Sequence, residues 1–170
     1  RGLKRRGLDL LGVIPHQPIL SRPSMDFIRE ELEAELLNRP DQLRNLVDEV
    51  VVGAMGVQNA MRYFKRGVLL IASGDREDII LAAATTLLGV SEGLAGIVLT
   101  GKLMPSAGVL RVIRDMPFPV LLAAEDSYAV ASTVHDLIVK TRPNETQKIS
   151  LIRDLIARHV DVTRILKSLS

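Results

Sequence analysis

A chain of 170 residues is enough for one domain with a substantial core and short for two. It contains no cysteine, which excludes disulfides, thiolate nucleophiles and thiolate-held metals and makes a cytoplasmic location the expectation. The net charge is +2, 47% of the residues are hydrophobic, and aromatics make up only 3% with no tryptophan, so the core must be aliphatic. Arg1, Lys4, Arg5 and Arg6 crowd the first six positions without interleaved aromatics, a pattern read as a solvated end; neither nucleic acid nor a membrane is expected as a partner. No apolar run reaches the ~20 residues of a membrane-spanning helix.

Along the chain, short apolar runs alternate with helical segments, as βα units of a parallel-rich sheet do. The expected strands are Leu8–Ile14, Val50–Val52, Val68–Ala72, Leu94–Leu99 and Pro119–Ala123. Their continuous rather than alternating hydrophobicity implies burial on both faces. Ser24 is placed to cap a helix with Met25, Ile28, Leu32 and Leu36 on one stripe and Asp26 in its first turn. Ile79–Leu88 is apolar almost all round, which as a helix would be packed on the sheet and on a further layer or subunit. Pro105 suits the first turn of a helix bearing Val109, Leu110 and Ile113, and Asp126 or Ser127 the start of one bearing Val130, Val134, Leu137 and Ile138. After a polar loop, with Asn144 as a candidate cap, Ile149, Ile152, Leu155 and Ile156 define a last helical region. The fold class is therefore three-layer α/β, with a mostly parallel sheet flanked by helices and a C-terminal helical segment.

In such sheets ligands favour the crevice at the carboxyl ends of the strands. Those ends read "GAM", "SGDR", "TGK" and "EDSY", gathering Gly53, Gly74, Asp75, Arg76, Thr100, Gly101, Lys102, Asp126 and Ser127 along one edge, with Asp78 just beyond. Glycines permit tight turns or close approach to a ligand, helix N-termini supply N–H donors, and Arg76 and Lys102 supply positive charge. The set suits a small anion or a nucleotide. A structural role fits each member too: Asp75 as a helix cap, Arg76 as the partner of Asp75, Asp126 or a neighbouring subunit's carboxylate, and the glycines as turn residues. Neither standard glycine-rich phosphate loop is present. His16, His135 and His159 lack metal-ligand spacing, and no serine stands in a nucleophile context, so neither a metal nor a catalytic residue is expected.

The segments "LGVIPHQPILSRPSM", "VVGAMGVQNAMRYFKRGVLLIASGDREDIILAAATTLL", "LAGIVLTGKLMPSAGVL" and "PVLLAAEDSYAVAS" together resemble the DRTGG domain. That domain is found beside dethiobiotin synthetase-like P-loop domains in long phosphotransacetylases and in proteins labelled phosphotransacetylase-like or cobyrinic acid a,c-diamide synthase-like. The resemblance implies a fold like the N-terminal domain of HPr kinase, homo-oligomeric association, and a regulatory or ligand-sensing role without catalysis. It also implies that the chain is part of a larger polypeptide. Residues 1–22 would end a preceding P-loop domain or linker, 23–140 would form the DRTGG domain, and 141–170 a helical extension. No cofactor is implied for this segment; a nucleotide would belong to the upstream domain. Gly74, Asp75 and Arg76 match the Gly-Asp-Arg of the family signature, where Glu77-Asp78-Ile79 replaces Thr-Gly-Gly. Thr100-Gly101 matches a frequent Thr-Gly-Gly, with Lys102 in place of the second glycine.

Three hypotheses follow. In the first the domain senses a small anionic metabolite or nucleotide at the Asp75–Arg76 edge; in the second it only dimerises and presses against a P-loop partner; the third, an independent enzyme, is least favoured because no nucleophile, metal set or phosphate loop is visible.

Overall fold

The computed structural model describes residues 3–38, 40–85, 93–139, 141–143 and 145–167. Among them are the strands β1 (Glu35–Leu36), β2 (Glu49–Val52), β3 (Val68–Ser73), β4 (Gly96–Thr100) and β5 (Val120–Leu122). The helices are α1 (Pro18–Ser21), α2 (Met25–Glu31), α3 (Val57–Ala60), α4 (Glu77–Ala84), α5 (Ala107–Asp115), α6 (Ser127–His135), α7 (Thr146–His159) and α8 (Val162–Lys167). The chain divides into two compact units, residues 22–138 and a unit formed by residues 1–21 with 139–170.

The larger unit is a five-stranded sheet in the order β1-β5-β4-β3-β2, parallel from β2 to β5 and antiparallel only where β1 meets β5. Because β2, β3, β4 and β5 succeed one another in one direction, right-handed crossovers put α3, α4 and α5 on the same face. The pleat then sorts the apolar runs. Val68, Leu70 and Ala72 of β3, Ile97 and Leu99 of β4, and Val120 and Leu122 of β5 enter one core with Ile79, Ile80, Ala83, Val109 and Ile113. Their neighbours Leu69, Ile71, Val98 and Leu121 point the other way, onto Met25 and Ile28 of α2 and Val130 and Val134 of α6. Burial of each such aliphatic side chain contributes about 1.5–3 kcal/mol, so the two cores hold the middle layer rigid from both sides.

The helix starts follow local chemistry. Ser24 caps α2, its hydroxyl accepting from the Phe27 N–H, and Asp126 caps α6, accepting from the Tyr128 and Ala129 N–H groups. α2 is shorter than expected: it closes at Leu32, Glu33 turns through φ 47°, and Leu36 belongs to β1. Pro105 precedes the α5 cap, Ser106, rather than entering the first turn. The helix expected at Ile79–Leu88 is seen from Glu77 to Ala84; residues 86–88, like Asn144, lie outside the described residues. Its buried residues are Ile79, Ile80, Ala82 and Ala83, while Leu81 is exposed.

In the second unit the expected strand Leu8–Ile14 is absent. The segment makes a single antiparallel bridge, Gly12 to Val160, supported by the Asp161 N–H donating to the Leu11 carbonyl at 2.7 Å. Apolar content alone does not make a strand; a continuous ladder partner is needed, and Leu8, Leu10, Val13 and Ile14 all remain exposed. A Cβ at Gly12 would run into the His159 carbonyl oxygen, which explains the glycine. In α7, Leu155 is buried, and so is Lys148, whose ammonium pairs with Glu145 at 2.7 Å.

Candidate functional site

The carboxyl ends of β2, β3, β4 and β5 lie side by side, so Gly53, Gly74, Asp75, Arg76, Thr100, Gly101, Lys102, Asp126 and Ser127 are carried on one edge. What the sequence does not show is how thoroughly this edge is stitched to itself.

Arg76 is the main stitch. Nη1 donates to the Gly53 carbonyl and Nη2 to the Met55 carbonyl, each at 3.1 Å, while Nε and Nη2 grip the two carboxylate oxygens of Asp78 at 2.9 and 3.0 Å. A planar guanidinium can serve two carbonyls and a carboxylate at once; an ammonium cannot. The hydrogen bond to Asp78 raises the Arg76 pKa, and the same bond holds the Asp78 carboxyl below the ordinary aspartate value. The expected partners Asp75 and Asp126 are therefore replaced by Asp78. Nor does Arg76 need a ligand or a second subunit to account for its charge.

Asp75 is not the cap either. Arg76 itself occupies the N-cap position of α4 without a side-chain cap bond, and Asp75, one residue earlier, accepts from the Ser73 hydroxyl at 2.5 Å. Glu77 and Asp78 supply the negative charge in the first turn. Glu77 also reaches α5, its Oε1 accepting from the Ser106 N–H at 2.6 Å.

The glycines are packing and turn residues. A Cβ at Gly53 would press on Ile79, Ala72 and Leu70 at 3.3–3.4 Å, and one at Gly74 would collide with the Leu103 carbonyl. Gly101 has φ 76° and Lys102 follows at φ 54°, so the chain makes two successive left-handed residues where the second would ordinarily be glycine. The turn is held by the Gly101 N–H on the Glu125 carbonyl at 2.7 Å and the Lys102 N–H on the Ala123 carbonyl at 2.9 Å. Thr100, buried, shares a hydrogen bond with Ser127 at 2.7 Å, joining β4 to the start of α6.

After this accounting three charged side chains at the edge stay exposed with little or nothing to hold them: Asp75, Lys102 and Glu125. Among the described residues Lys102 and Glu125 have no ion-pair partner, although their backbones are joined through the turn. Beside them Leu103, Met104 and Tyr128 are 43%, 51% and 83% exposed. Among the described residues no group of three or more His, Asp or Glu can hold a metal ion. None of the described helices is long and apolar enough to cross a membrane.

Asn38 is a structural residue that sequence reasoning missed. Its amide donates to the Ile113 and Phe118 carbonyls at 3.0 and 2.8 Å and accepts from the Val120 N–H at 2.8 Å, fastening the end of α5 to β5. No local pattern marks it, because its partners are at least 75 residues away.

Residues 27–137 match the family described as the DRTGG domain. The phosphate acetyltransferase of Nitratidesulfovibrio vulgaris is 32% identical over 157 residues, which cover 90% of this chain and 22% of that protein. That of Pseudomonas putida is 32% identical over 162 residues, covering 92% of this chain and 23% of the relative. The chain thus spans less than a quarter of the length of either relative. A crystal structure of the CBS and DRTGG domains of the regulatory region of Clostridium perfringens pyrophosphatase, complexed with its activator diadenosine tetraphosphate, has a TM-score of 0.58 at 22% identity. The likeness covers 84% of this chain and 71% of that one and is a likeness of fold.

Proposed function

We propose, on the premise that this chain belongs to the DRTGG domain family, that it is a non-catalytic regulatory domain of a longer polypeptide of the phosphate acetyltransferase kind. In that parent a P-loop domain of dethiobiotin synthetase type would lie upstream, residues 1–22 would lead out of it, and 141–170 would extend the regulatory domain. The parent's chemistry would be carried elsewhere in the polypeptide. The sensed molecule is a small anionic metabolite, and a nucleotide suits the edge best.

The observation that carries this reading is Lys102. Among the described residues it has no ion-pair partner, and it is held in a left-handed conformation that costs a non-glycine residue roughly 1 kcal/mol, at the strand ends where open α/β sheets receive ligands. Asp75 and Glu125 stand exposed on the same edge. Their charge opposes a bare polycarboxylate, whereas a nucleotide offers phosphate to Lys102 and hydroxyl or amino donors to the acids. That the related regulatory region of a pyrophosphatase takes a dinucleotide activator agrees with this choice.

Isothermal titration against AMP, ATP, diadenosine tetraphosphate, acetyl phosphate and citrate tests the reading. Nucleotide binding that weakens about two- to fivefold in Lys102→Ala is expected, the loss of one exposed charge contact. Silence across the panel overturns it and leaves a structural module.

A further inference from the structure

The strand-end edge carries an aromatic ring that the chain itself does not use. Tyr128 is 83% exposed, and among the described residues its side chain has no hydrogen bond or ring contact, whereas the three phenylalanines are all buried. Hydrogen bonds place its backbone beside the Lys102 turn. The Gly101 N–H donates to the Glu125 carbonyl at 2.7 Å, the Lys102 N–H donates to the Ala123 carbonyl at 2.9 Å, and the Thr100 and Ser127 hydroxyls share a bond of 2.7 Å. Residues 100–102 therefore run against 123–127, and Tyr128 is the next residue, in the first turn of α6. Ser127 and Val130 mark the inward side of that turn, Ser127 by its bond to Thr100 and Val130 by its burial. About 3.6 residues per turn set Tyr128 roughly 100° round the helix from Ser127, on its flank. Helical side chains lean toward the N-terminus of their own helix, and α6 begins at the strand-end edge, so the ring leans toward that edge. Asp126 already accepts from the Tyr128 and Ala129 N–H groups. What the start of α6 offers a ligand is thus the ring and not its amides.

We propose that Tyr128 is the base platform of this edge: with a phosphate on Lys102, the base of a nucleotide stacks on the Tyr128 ring. This assignment rests on the nucleotide reading above and narrows it to ligands that carry an aromatic base. Acetyl phosphate and citrate have no flat apolar face to lay on the ring. Every nucleobase has one, and stacking on an exposed aromatic side chain is how a protein holds a base without hydrogen bonds to its edge. Lys102 then serves affinity for phosphate in general, and Tyr128 decides between a nucleotide and a phosphate without a base.

Isothermal titration of the 170-residue chain with ATP and with inorganic tripolyphosphate, which has the phosphates without the base, is the test. Tyr128→Ala should weaken ATP binding at least about fivefold, the loss of one base stack, and leave tripolyphosphate as it is with the parent. Tyr128→Phe keeps the ring and should hold ATP to within about twofold of the parent. An unchanged urea midpoint in both variants separates loss of the platform from unfolding. The chain has two tyrosines and no tryptophan, so in Tyr63→Phe the emission is that of Tyr128 alone. Bound ATP should quench it. ATP binding that depends on Lys102 but not on Tyr128, a Tyr128→Phe protein as weak as Tyr128→Ala, or Tyr128 emission indifferent to bound ATP overturns this assignment and spares the nucleotide reading. Absence of ATP binding in the parent overturns both.

Discussion

Replacing Arg76 with alanine removes four hydrogen bonds at once, and they are not equal. The two to Asp78 join a side chain that is 32% exposed to one that is 51% exposed, so water replaces much of them and their share is at most about 1 kcal/mol. The bonds to the Gly53 and Met55 carbonyls are part-buried and charge-assisted. Losing them leaves two acceptors on the β2–α3 connection without a donor, at about 1 kcal/mol each. The expected cost of Arg76→Ala is therefore about 2–3 kcal/mol, read as a shift of the urea midpoint at unchanged slope. Asp78→Ala should cost less than about 1 kcal/mol, and Arg76→Lys about 1–2, because one ammonium cannot span both carbonyls. In an Asp78→Ala background Arg76→Ala should retain most of its effect. An Asp78→Ala loss equal to that of Arg76→Ala, or an Arg76→Ala protein as stable as the parent, would refute the assignment of Arg76 as the brace of this loop.

Lys102→Gly should stabilise the fold by up to about 1 kcal/mol in urea unfolding, since glycine takes φ 54° without strain, less the greater entropy of its unfolded chain; a loss of stability would contradict the strained turn. Gly74→Ala should destabilise by about 1–3 kcal/mol, because its methyl collides with the Leu103 backbone rather than with a movable side chain; calorimetry reads this as a lowered Tm. Asn38→Ala should cost about 2–4 kcal/mol by the same method, as the Phe118 carbonyl and the Val120 N–H lose their partner while the Ile113 carbonyl keeps only the Met116 N–H. The Asp78 carboxyl is held below its ordinary value of 3.8, so its contribution is complete above that pH and disappears as the pH falls through its folded value. Acid titration of stability should accordingly show a shallower loss in Arg76→Ala than in the parent. The hydrogen bond to Glu49 raises the Lys65 pKa above 10.5, and this small contribution is present below that value and lost as alkali passes the folded one.

Arg76 shows where sequence reading stops. "SGDRED" marks a turn from a buried strand into a buried helix, and the acids after it supply the helix start. Yet sequence proximity pointed to Asp75 as cap and as partner, while the turn placed Arg76 in the cap position and aimed its guanidinium at carbonyls 21 and 23 residues earlier. Lys102 stands where the family motif has a second glycine, and the structure keeps a left-handed residue there with the lysine in it. Leu8–Ile14 failed for the complementary reason: its composition is that of a strand, and among the described residues no strand pairs with it beyond the single Gly12–Val160 bridge.

The sequence by itself determined the α/β class, the positions of β2 to β5 to within two residues, and the gathering of four strand ends on one edge. Continuous aliphatic runs punctuated by glycine and helix caps are local signals, and a parallel sheet orders its ends whatever the side chains there do. Only the tertiary structure decided that β1 closes the sheet antiparallel with two residues, that Asn38 fastens α5 to β5, and that Arg76 is consumed within the chain. It also left Lys102 and Glu125 at that edge without an ion-pair partner among the described residues. Hydrogen bonds between residues 21 to 82 positions apart depend on where packing sets the backbone, and periodicity in sequence holds no record of that.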